Sequence, residues 1–369
     1  MGYHLLYPLF LKYKSAHSFF KIFNLFQYIT FRAALAVLTT LILSFIFGPM
    51  LIRYLRNKKI GQNIRELGPE THHVKSGTPT MGGILIIGST IVSVLLWGRL
   101  DNKYVWIALA SLVGFGAIGF IDDYKKLILK NTVGLKARYK FILQIILGIS
   151  IVSLIYFTDS TPNKLSSEIF IPFINKAAFN LLIFMIPFGT ILLVASSNAV
   201  NLTDGLDGLA IGCTLFVIVA FTILSYLAGQ GTIAYYLKIP FIKGSAEITI
   251  FCASLIGASL GFLWYNANPA EIFMGDTGSL ALGGALGTVA IMIKKEILLI
   301  IVGGIFVAEA VSVILQVGFY KWKKKRIFLM APLHHHYEKK GFQETKIVIR
   351  FWIIGIILAM VAIATLKIR

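Results

Sequence analysis

Long apolar stretches alternate with short polar ones along the whole chain. They lack the period of two expected of a lipid-facing barrel strand, and most reach the roughly 17 to 25 residues that a helix needs to cross a bilayer. Because a chain in lipid must satisfy its backbone hydrogen bonds internally, we interpret them as transmembrane helices. The pattern predicts ten spans: 33–52, 79–97, 104–121, 141–157, 178–194, 209–227, 248–263, 277–293, 297–320 and 351–366.

The composition supports this interpretation and excludes other classes of protein. Of the 369 residues, 57% are hydrophobic and only 14% are charged, against about 25% charged in soluble domains. These values exclude a soluble enzyme, a disordered chain and a coiled coil, and they predict an all-α, polytopic integral membrane protein. Cys213 and Cys252 lie in segments that enter the membrane from opposite sides, so we expect no disulfide between them.

The basic residues predict which side of the membrane each loop faces. Lys and Arg number 35 against 16 Asp and Glu, which gives a net charge of +19. The positive-inside rule is the first explanation of this excess, and binding to anionic lipid or to an anionic substrate is the second. The loops after the first, third and ninth spans carry 6, 6 and 9 Lys or Arg, whereas those after the second, fourth, sixth and eighth carry 2 each. Odd-numbered loops are therefore predicted to be cytoplasmic and both termini periplasmic.

The N-terminal residues 1–32 are the exception to this rule. They carry four basic residues on the predicted periplasmic side, and no small-residue cleavage site follows a short apolar region. We interpret them as an interfacial amphipathic helix that stays attached. The whole chain, 1–369, is treated as a single transmembrane domain with cytoplasmic loops near 53–78, 122–140, 195–208, 264–276 and 321–350.

The predicted topology sorts the acidic residues by side. Those facing outwards are scattered singly, whereas six lie at cytoplasmic ends of helices: Asp122, Asp123, Asp204, Asp207, Glu271 and Asp276. Mg²⁺ prefers one or two carboxylates together with phosphate oxygens and water. We therefore expect a site for a divalent cation and a phosphorylated ligand at the cytoplasmic face.

Asp122 and Asp123 are adjacent and precede Lys125 and Lys126 at the end of the third span. Repulsion between the two carboxylates and the helix macrodipole both disfavour this pair at a helix C-terminus. A metal-binding or general-base pair beside phosphate-binding lysines would explain that cost, and a solvated helix end is the alternative. We favour the site for the aspartates and the solvated end for the lysines taken alone.

A second polar motif precedes the sixth span. Asn201, Asp204 and Asp207 recur at every third residue, which predicts that they share one face where that helix begins. Gly205 and Gly208 allow close approach of a ligand or another backbone. N-terminal capping is the alternative for one aspartate, but three polar residues in register indicate a site.

A third motif, 264–279, ends in Gly-Asp-Thr-Gly-Ser at the start of the eighth span. Asp276 can serve as the N-cap of that helix, or it can hold a metal against an anion bound at the helix N-terminus. Phe273 can stack on a nucleobase or act as an interfacial aromatic. Both alternatives stay open for each residue.

The histidine run and one buried glutamate lie outside these motifs. His334, His335 and His336 are adjacent, so they cannot all face one metal from a regular helix. From a loop they can donate hydrogen bonds to phosphate or sugar, and a solvated basic loop is the alternative. Glu309 lies in the middle of the ninth span, where a carboxylate needs a partner or a wet cavity. We expect a functional role or a hydrogen bond between helices, with no partner named.

Taken together, seven stretches resemble the polyprenyl-phosphate N-acetylhexosamine-1-phosphate transferases. They occur in that family's order over nearly the whole chain, and ten helices with both termini outside is its topology. The triple histidine after Pro332-Leu333 resembles the muramoyl-pentapeptide branch of the family over the N-acetylglucosamine branch. The stretches are YITFRAA at 28–34, KSGTPTMGG at 75–83, FIDDYKK at 120–126, GLKARYK at 134–140, and the segments 198–209, 262–284 and 332–341.

The resemblance implies an activity, a cofactor and a set of residues. The activity is transfer of phospho-N-acetylmuramoyl-pentapeptide from UDP-N-acetylmuramoyl-pentapeptide to undecaprenyl phosphate, which releases UMP and gives lipid I for peptidoglycan synthesis; Mg²⁺ is the cofactor. Asp122, Asp123 and Asp276 match the catalytic positions, with Asp276 as the metal ligand. The substrate-site positions are matched by Lys75, Thr80, Lys126, Asn201, Asp204, Asp207, Asn266, Phe273, His334, His335 and His336, and Arg138 stands where related enzymes carry Lys or Arg.

Two other functions compete with this one. An N-acetylglucosamine-1-phosphate transferase is the nearest, and a secondary transporter is the alternative from another class. Transporters usually place polar residues near the bilayer midplane, often within inverted repeats, whereas here they lie at one face and we find no repeat. A purely structural scaffold would have no use for the carboxylates.

We therefore expect a multi-pass enzyme of the bacterial inner membrane. Its expected partners are the two substrates and membrane lipids, with no nucleic acid, and we expect a homodimer. Direct attack by the lipid phosphate and a covalent aspartyl-phosphate intermediate stay equally open.

Overall fold

The computed structural model describes residues 2–13, 18–58, 77–127, 134–159, 161, 164–174 and 177–366. These ranges are mostly helical, as predicted. The α-helices are α1 (Gly2–Tyr13), α2 (Ile29–Asn57), α3 (Gly83–Trp97), α4 (Lys103–Leu127), α5 (Ala137–Thr158), α6 (Met185–Thr203), α7 (Leu209–Ala228), α8 (Gly231–Tyr236), α9 (Ile248–Asn266), α10 (Gly275–Met292), α11 (Glu296–Val302), α12 (Gly304–Lys323), α13 (Leu333–Lys339) and α14 (Glu344–Ala364).

The molecule is a polytopic membrane protein. Within the described ranges, eight helices are long and apolar enough to cross a bilayer, namely α2, α4, α5, α6, α7, α9, α12 and α14, where α6 and α9 each include a preceding 3₁₀ turn; α3 is a shorter apolar helix. The outer helices expose large apolar side chains, such as Ile42 and Ile46 of α2 and Ile353 and Ile357 of α14. So extended an apolar surface requires lipid around it.

Two predicted spans consist of more than one element in the structure. The predicted span 178–194 starts in a two-residue strand, β2 (Phe179–Asn180), which pairs antiparallel with β1 (Glu168–Ile169), and α6 then runs on to Thr203. Hydropathy misses its last turns because their polar groups bond to other helices: Ser196 Oγ donates to Gly283 O at 2.7 Å and Ser197 Oγ to Leu280 O at 3.1 Å.

The predicted span 297–320 consists of two helices, α11 and α12, which meet at Gly303. The pair Gly303-Gly304 lacks side chains that would favour continuous helix, and this explains the break. The N-terminal residues also differ from the prediction. Instead of one helix over 1–32, there are α1, a 3₁₀ helix over Ser18–Gln27, and α2, which already contains Arg32.

Helix α10 is the centre of the bundle. Every residue from Thr277 to Met292 is buried, and the helix packs against α3, α4 and α6. Glycines allow this closeness: a Cβ on Gly83 would lie 2.1 Å from the Gly278 nitrogen, and one on Gly119 would lie 2.1 Å from the Asp276 carbonyl oxygen. In lipid such van der Waals packing holds helices together. It brings the N-terminus of α10 against the start of α3 and the end of α4.

The opposite end of the bundle is held by a buried ion pair. Arg32 donates to both carboxylate oxygens of Glu247, at 2.8 and 2.6 Å, and to the Trp97 carbonyl at 3.0 Å. The backbone N–H of Arg99 donates to the same glutamate at 3.1 Å. The pair thus joins α2, α9 and the α3–α4 connection. Cys213 and Cys252 are free and buried, so the prediction that they form no disulfide is confirmed.

Candidate active site

Asp123 caps the central helix α10. Its Oδ2 accepts hydrogen bonds from the Thr277 N–H at 2.9 Å and the Thr277 hydroxyl at 2.7 Å, and its Oδ1 accepts from the Asp276 N–H at 3.2 Å. A carboxylate that satisfies free N–H groups at a helix N-terminus also interacts favourably with the macrodipole. From the sequence, Asp276 was one candidate for the N-cap of this helix. The capping group is instead Asp123 of α4, and the Asp276 side chain contacts other partners.

Asp122 and Asp276 face the same two lysines. Lys126 Nζ lies 2.6 Å from Asp122 Oδ2 and 3.1 Å from Asp276 Oδ2. Lys140 Nζ lies 2.8 Å from Asp276 Oδ2 and 3.8 Å from Asp122 Oδ2. The Leu135 N–H donates to Asp122 Oδ1 at 2.7 Å. Two anionic and two cationic groups therefore share one small space at the ends of α4, α5 and α10.

Lys140 is a site residue that the sequence analysis missed. The motif GLKARYK contains it, but the resemblance indicated Arg138, the position where related enzymes carry Lys or Arg. On α5 the two residues are less than one turn apart and point differently: Arg138 is exposed, whereas Lys140 reaches Asp276. Which basic residue of this run faces inwards depends on where α5 begins, at Ala137.

The end of α6 supplies a further partner to Asp276. Asn201 Nδ2 donates to Asp276 Oδ1 at 2.7 Å and to Ser279 Oγ at 2.8 Å. Ser279 in turn donates to the Gly275 carbonyl at 2.9 Å. The amide thus orients the Asp276 carboxylate from the side opposite the lysines.

The prediction that Asn201, Asp204 and Asp207 share one helix face is wrong. α6 ends at Thr203 and α7 begins at Leu209, so the three residues lie on a last helical turn and on the connection after it. Most of the Asp204 side chain is covered by its surroundings, which include the other carboxylates of the site. Burial, with the negative charges of Asp276, Asp123 and Asp207, raises the pKa of Asp204 to about 8.

Asp207 is turned away from Asp276 and holds the loop after α9. It is buried, and its Oδ2 accepts from Asn268 Nδ2 at 3.2 Å and from the Ala270 N–H at 3.1 Å. Asn266, also buried, accepts from the Gly208 N–H at 3.1 Å and donates to the Ile272 carbonyl at 2.9 Å. Both residues therefore fix the two connections against each other.

The α2–α3 connection lies beside the loop before α10. The Phe273 N–H donates to the Pro79 carbonyl at 2.8 Å, and the Phe273 carbonyl accepts from the Gly82 N–H at 2.9 Å. Thr80 is buried next to Gly275, where an added Cβ would lie 2.9 Å from its hydroxyl oxygen. Phe273 is half-buried. Lys75 lies outside the described residues.

The three histidines lie on a short helix, α13, and not in a loop. His334 is buried, His335 Nδ1 is 2.6 Å from Glu338 Oε2, and His336 Nδ1 accepts from the Leu329 N–H at 3.1 Å. Burial and the Lys340 charge lower the pKa of His336. The partner of Glu309, which the sequence left unnamed, is His334, 3.3 Å from Nδ1 to Oε1.

The carboxylates of the site are groups that could hold a magnesium ion. In the part of the chain that the structure describes, no three His, Cys, Asp or Glu side chains converge on one point. Mg²⁺ needs only one or two carboxylates and takes its other ligands from phosphate and water. Asp276, which lies beside Asp122 at the same lysine nitrogen, has the chemistry to hold such an ion.

Comparison with known proteins assigns this arrangement to a family. The model of glycosyl transferase family 4 matches residues 105–294, and signature 1 of phospho-N-acetylmuramoyl-pentapeptide-transferase matches residues 75–87. Proteins of that name from Desulfosudis oleivorans, Geobacter sp. (strain M21) and Brachyspira hyodysenteriae are 53%, 51% and 52% identical, over the full length of both chains. The chain belongs to the phospho-N-acetylmuramoyl-pentapeptide-transferase family.

The family assignment confirms the resemblance seen in the motifs. The region matched by the glycosyl transferase family 4 model runs from α4 to the end of α10 and contains both aspartates of α4, Asn201 and Asp276. The phospho-N-acetylmuramoyl-pentapeptide-transferase signature contains Thr80 and Gly83, which pack against the first turn of α10. The matched segments are thus the ones that meet at the N-terminus of α10.

Proposed function

We propose that this chain transfers phospho-N-acetylmuramoyl-pentapeptide from UDP-N-acetylmuramoyl-pentapeptide to undecaprenyl phosphate, giving lipid I and UMP in peptidoglycan synthesis. The observation that carries the proposal is identity of about half over full length to transferases of that name. The cluster of Asp122, Lys126, Lys140 and Asp276 supports it, because the reaction joins an anionic nucleotide to a lipid phosphate. Cations must offset the repulsion between them.

Each group in the cluster has a role in this proposal. Lys126 and Lys140 bind and orient the pyrophosphate, and Asn201 holds the Asp276 carboxylate in place. Mg²⁺, bound through Asp276, supplies Lewis-acid neutralisation of the phosphate charge. Asp122, which faces the same two lysines as Asp276, is the acid–base group, and Asp123 holds the first turn of α10 in place. The substrate-site roles of Lys75, Thr80, Arg138, Asp204, Asp207, Asn266, Phe273 and the histidines remain those implied by the family.

Both chemical routes use these positions. In one, the lipid phosphate attacks the pyrophosphate directly; in the other, an aspartate first takes up the phosphoryl group. Rapid quenching with a radiolabelled nucleotide substrate and no lipid acceptor distinguishes the routes, because only the second leaves label on the protein.

The ligand role of Asp276 has a direct test. Asp276→Asn keeps an oxygen that can accept from Asn201 but loses the charge, so transfer should fall by at least about a hundredfold while the melting temperature changes little. Asp101→Asn, at an exposed carboxylate paired with Arg99 at the other end of the bundle, is the matched control and should leave the rate unchanged. Near wild-type transfer by the Asp276→Asn variant in limiting Mg²⁺ would contradict the proposal.

The nucleotide sugar is tested with the same preparation. Wild-type protein should transfer from UDP-N-acetylmuramoyl-pentapeptide and not from UDP-N-acetylglucosamine. The reverse preference would assign the chain to the N-acetylglucosamine-1-phosphate transferases.

We further propose ten spans, with both termini in the periplasm and the site at the cytoplasmic face of the bacterial inner membrane. The count of basic residues in the loops supports this orientation. Single cysteines at Lys130 and Lys164, in a chain lacking Cys213 and Cys252, test it: an impermeant thiol reagent on intact cells should label position 164 and spare 130. Labelling at 130 would overturn the orientation.

A single domain that forms a homodimer completes the proposal. The exposed apolar side chains of the outer helices leave surface for a second copy as well as for lipid. Mass measurement of the protein in lipid nanodiscs tests the dimer, and a single-copy mass at all protein concentrations would contradict it.

A further inference from the structure

Glu309 is a buried carboxylate near the start of α12 that the proposed reaction does not use. It is fully buried on α12, far along the sequence from the carboxylates of the site. A carboxylate buried inside a membrane protein is costly unless a partner or water stabilises it, and it usually serves a function. Its contacts therefore indicate what that function is.

Glu309 holds His334 at two points. Its Oε1 accepts from the His334 backbone N–H at 3.2 Å and lies 3.3 Å from Nδ1 of the same residue. His334 is the second residue of α13, whose first N–H groups have no partners within the helix. Because α13 is only seven residues long, it cannot be stable by itself. The carboxylate thus supplies an anchor for this helix.

The same face of α12 holds the segment that leads into α13. Two helical turns after Glu309, Gln316 Oε1 accepts from the Ile327 and Phe328 N–H groups, both at 3.0 Å, and its Nε2 donates to the Phe328 carbonyl at 3.0 Å. Residues seven apart lie on one side of a helix. α12 therefore fixes the backbone of the segment at 327–328 and again at His334.

On its other side, the His334 ring packs against Gly205. A Cβ on Gly205 would lie 2.2 Å from His334 Nε2, and Gly205 has no positive φ that would otherwise require glycine. Gly205 lies between Asp204 and Asp207. The ring is buried, so in this structure it meets the aspartate-bearing connection and not the open surface.

We infer that Glu309 is a positioning residue for transfer: it fixes His334, and His334 fixes the 204–207 connection through contact with Gly205. The inference rests on the proposed function, which assigns Asp204 and Asp207 to the substrate site. α14 holds the same connection from another side, where Glu344 Oε1 accepts from the Asp207 N–H at 2.9 Å and Trp352 Nε1 donates to the Gly208 carbonyl at 3.2 Å. His334 is then the support on the α12 side.

Substitutions at Glu309 separate positioning from charge. Glu309→Gln keeps an oxygen that can accept from the His334 backbone N–H, so kcat should stay within about threefold of wild type. Glu309→Leu removes the acceptor, and displacement of the 204–207 connection should lower kcat about a hundredfold. Ser312→Ala, on the same buried face, removes only a hydroxyl that donates to the Glu309 backbone carbonyl and should match wild type. Equal loss in the Gln and Leu variants would overturn the inference.

Coupling to His334 gives a readout that a general loss of stability would not change. If Glu309 acts through His334, Glu309→Leu should cost less than about threefold more in a protein that already carries His334→Ala. A further hundredfold loss in that background would show that Glu309 acts by another route.

A second perturbation reaches the same contact from the opposite side, in case the Leu variant does not fold. Gly205→Ala pushes a methyl group into the ring and should lower kcat at least about tenfold. Combined with His334→Ala, it should cost no more than His334→Ala alone. A full additive loss would contradict the contact.

Hydrogen exchange measured by mass spectrometry tests the contact without using activity. Glu309→Leu should speed exchange in peptides covering 333–339 and 204–208 and leave those of α10 unchanged. Unchanged exchange at 204–208, in a wild-type protein that does transfer, would overturn the inference alone. If wild type fails to transfer, the proposed function fails, and the exchange result still decides whether Glu309 holds the connection.

Discussion

Gly119→Ala should disable the enzyme by moving a helix, without removing any chemical group. A Cβ at position 119 would lie 2.1 Å from the Asp276 carbonyl oxygen, 2.4 Å from its carbonyl carbon and 2.6 Å from the Thr277 nitrogen. All three are backbone atoms, so no side-chain rotation can relieve the overlap. The first turn of α10 must move away from α4.

The size of that movement follows from the contact distance. Ordinary contact begins at 3.4 Å, so the helices must separate by about 1.3 Å in a tightly packed interior. The hydrogen bonds from α10 to Asp123, at 2.7 to 3.2 Å, and the Lys140–Asp276 pair, at 2.8 Å, then lengthen beyond useful range. Overpacking of this kind costs about 1–3 kcal/mol of stability, and a misplacement of 1 Å can cost about a hundredfold in rate.

The assay is transfer of phospho-N-acetylmuramoyl-pentapeptide by purified protein in detergent, with kcat and the melting temperature measured on the same preparation. Gly88→Ala is the matched control, because position 88 on α3 faces open space, with no atom within 4 Å of an added Cβ. We expect at least about a hundredfold lower kcat for Gly119→Ala and a wild-type rate for Gly88→Ala. A Gly119→Ala protein with kcat within threefold of wild type and an unchanged melting temperature would refute the close packing of α4 on α10.

Three further outcomes follow from contacts described above. Asp122→Asn and Asp123→Asn should each lose at least about a hundredfold in rate. Only Asp123→Asn should also lower the melting temperature, because it removes one of the two oxygens that accept from α10 and the negative charge at that helix N-terminus, about 1 kcal/mol together; equal melting temperatures would contradict this role of Asp123. The pKa of Asp204 is raised from 3.8 to about 8, so between these pH values the folded state keeps a proton on Asp204 that the unfolded state has lost. The free energy of unfolding of the metal-free protein should therefore fall as pH rises from 3.8 to about 8, and Asp204→Asn should weaken this pH dependence. A wild-type stability that does not change over this range would contradict the raised pKa. Glu247→Gln leaves Arg32 buried without its counter-ion and should cost about 3–5 kcal/mol, recovered in part by adding Arg32→Met; a double variant less stable than Glu247→Gln would count against the pair.

Hydropathy and charge alone predicted the helical fold class and predicted that the polar residues of the site lie close together. Asp122, Asp123, Asn201 and Asp276 are far apart in sequence, yet they meet because each lies at the same end of an apolar span. That reasoning needs no knowledge of packing. It depends only on the length of the spans and on the order in which they cross.

The parts that were not predictable depend on contacts between helices. α6 continues past its apolar stretch because polar side chains find partners on α5 and α10, and no local pattern reports those partners. The same applies to Asp123, whose role is set by the closeness of α4 and α10. The partner of Glu309 lies only 25 residues away in sequence. The sequence did not predict this contact, because the contact forms only where the chain turns back after α12 and places α13 beside that helix.

The Arg32–Glu247 pair also bears on how the chain is made. The two residues are 215 positions apart, so at about 5–20 residues per second the ribosome adds Glu247 roughly 10 to 40 seconds after Arg32. In the proposed orientation, α2 has an unneutralised cation at its periplasmic end during that interval, which the positive-inside rule disfavours. Its placement is therefore provisional until α9 arrives. A nascent chain truncated before residue 247 keeps that cation exposed, and it is the form that membrane quality-control proteases should remove first.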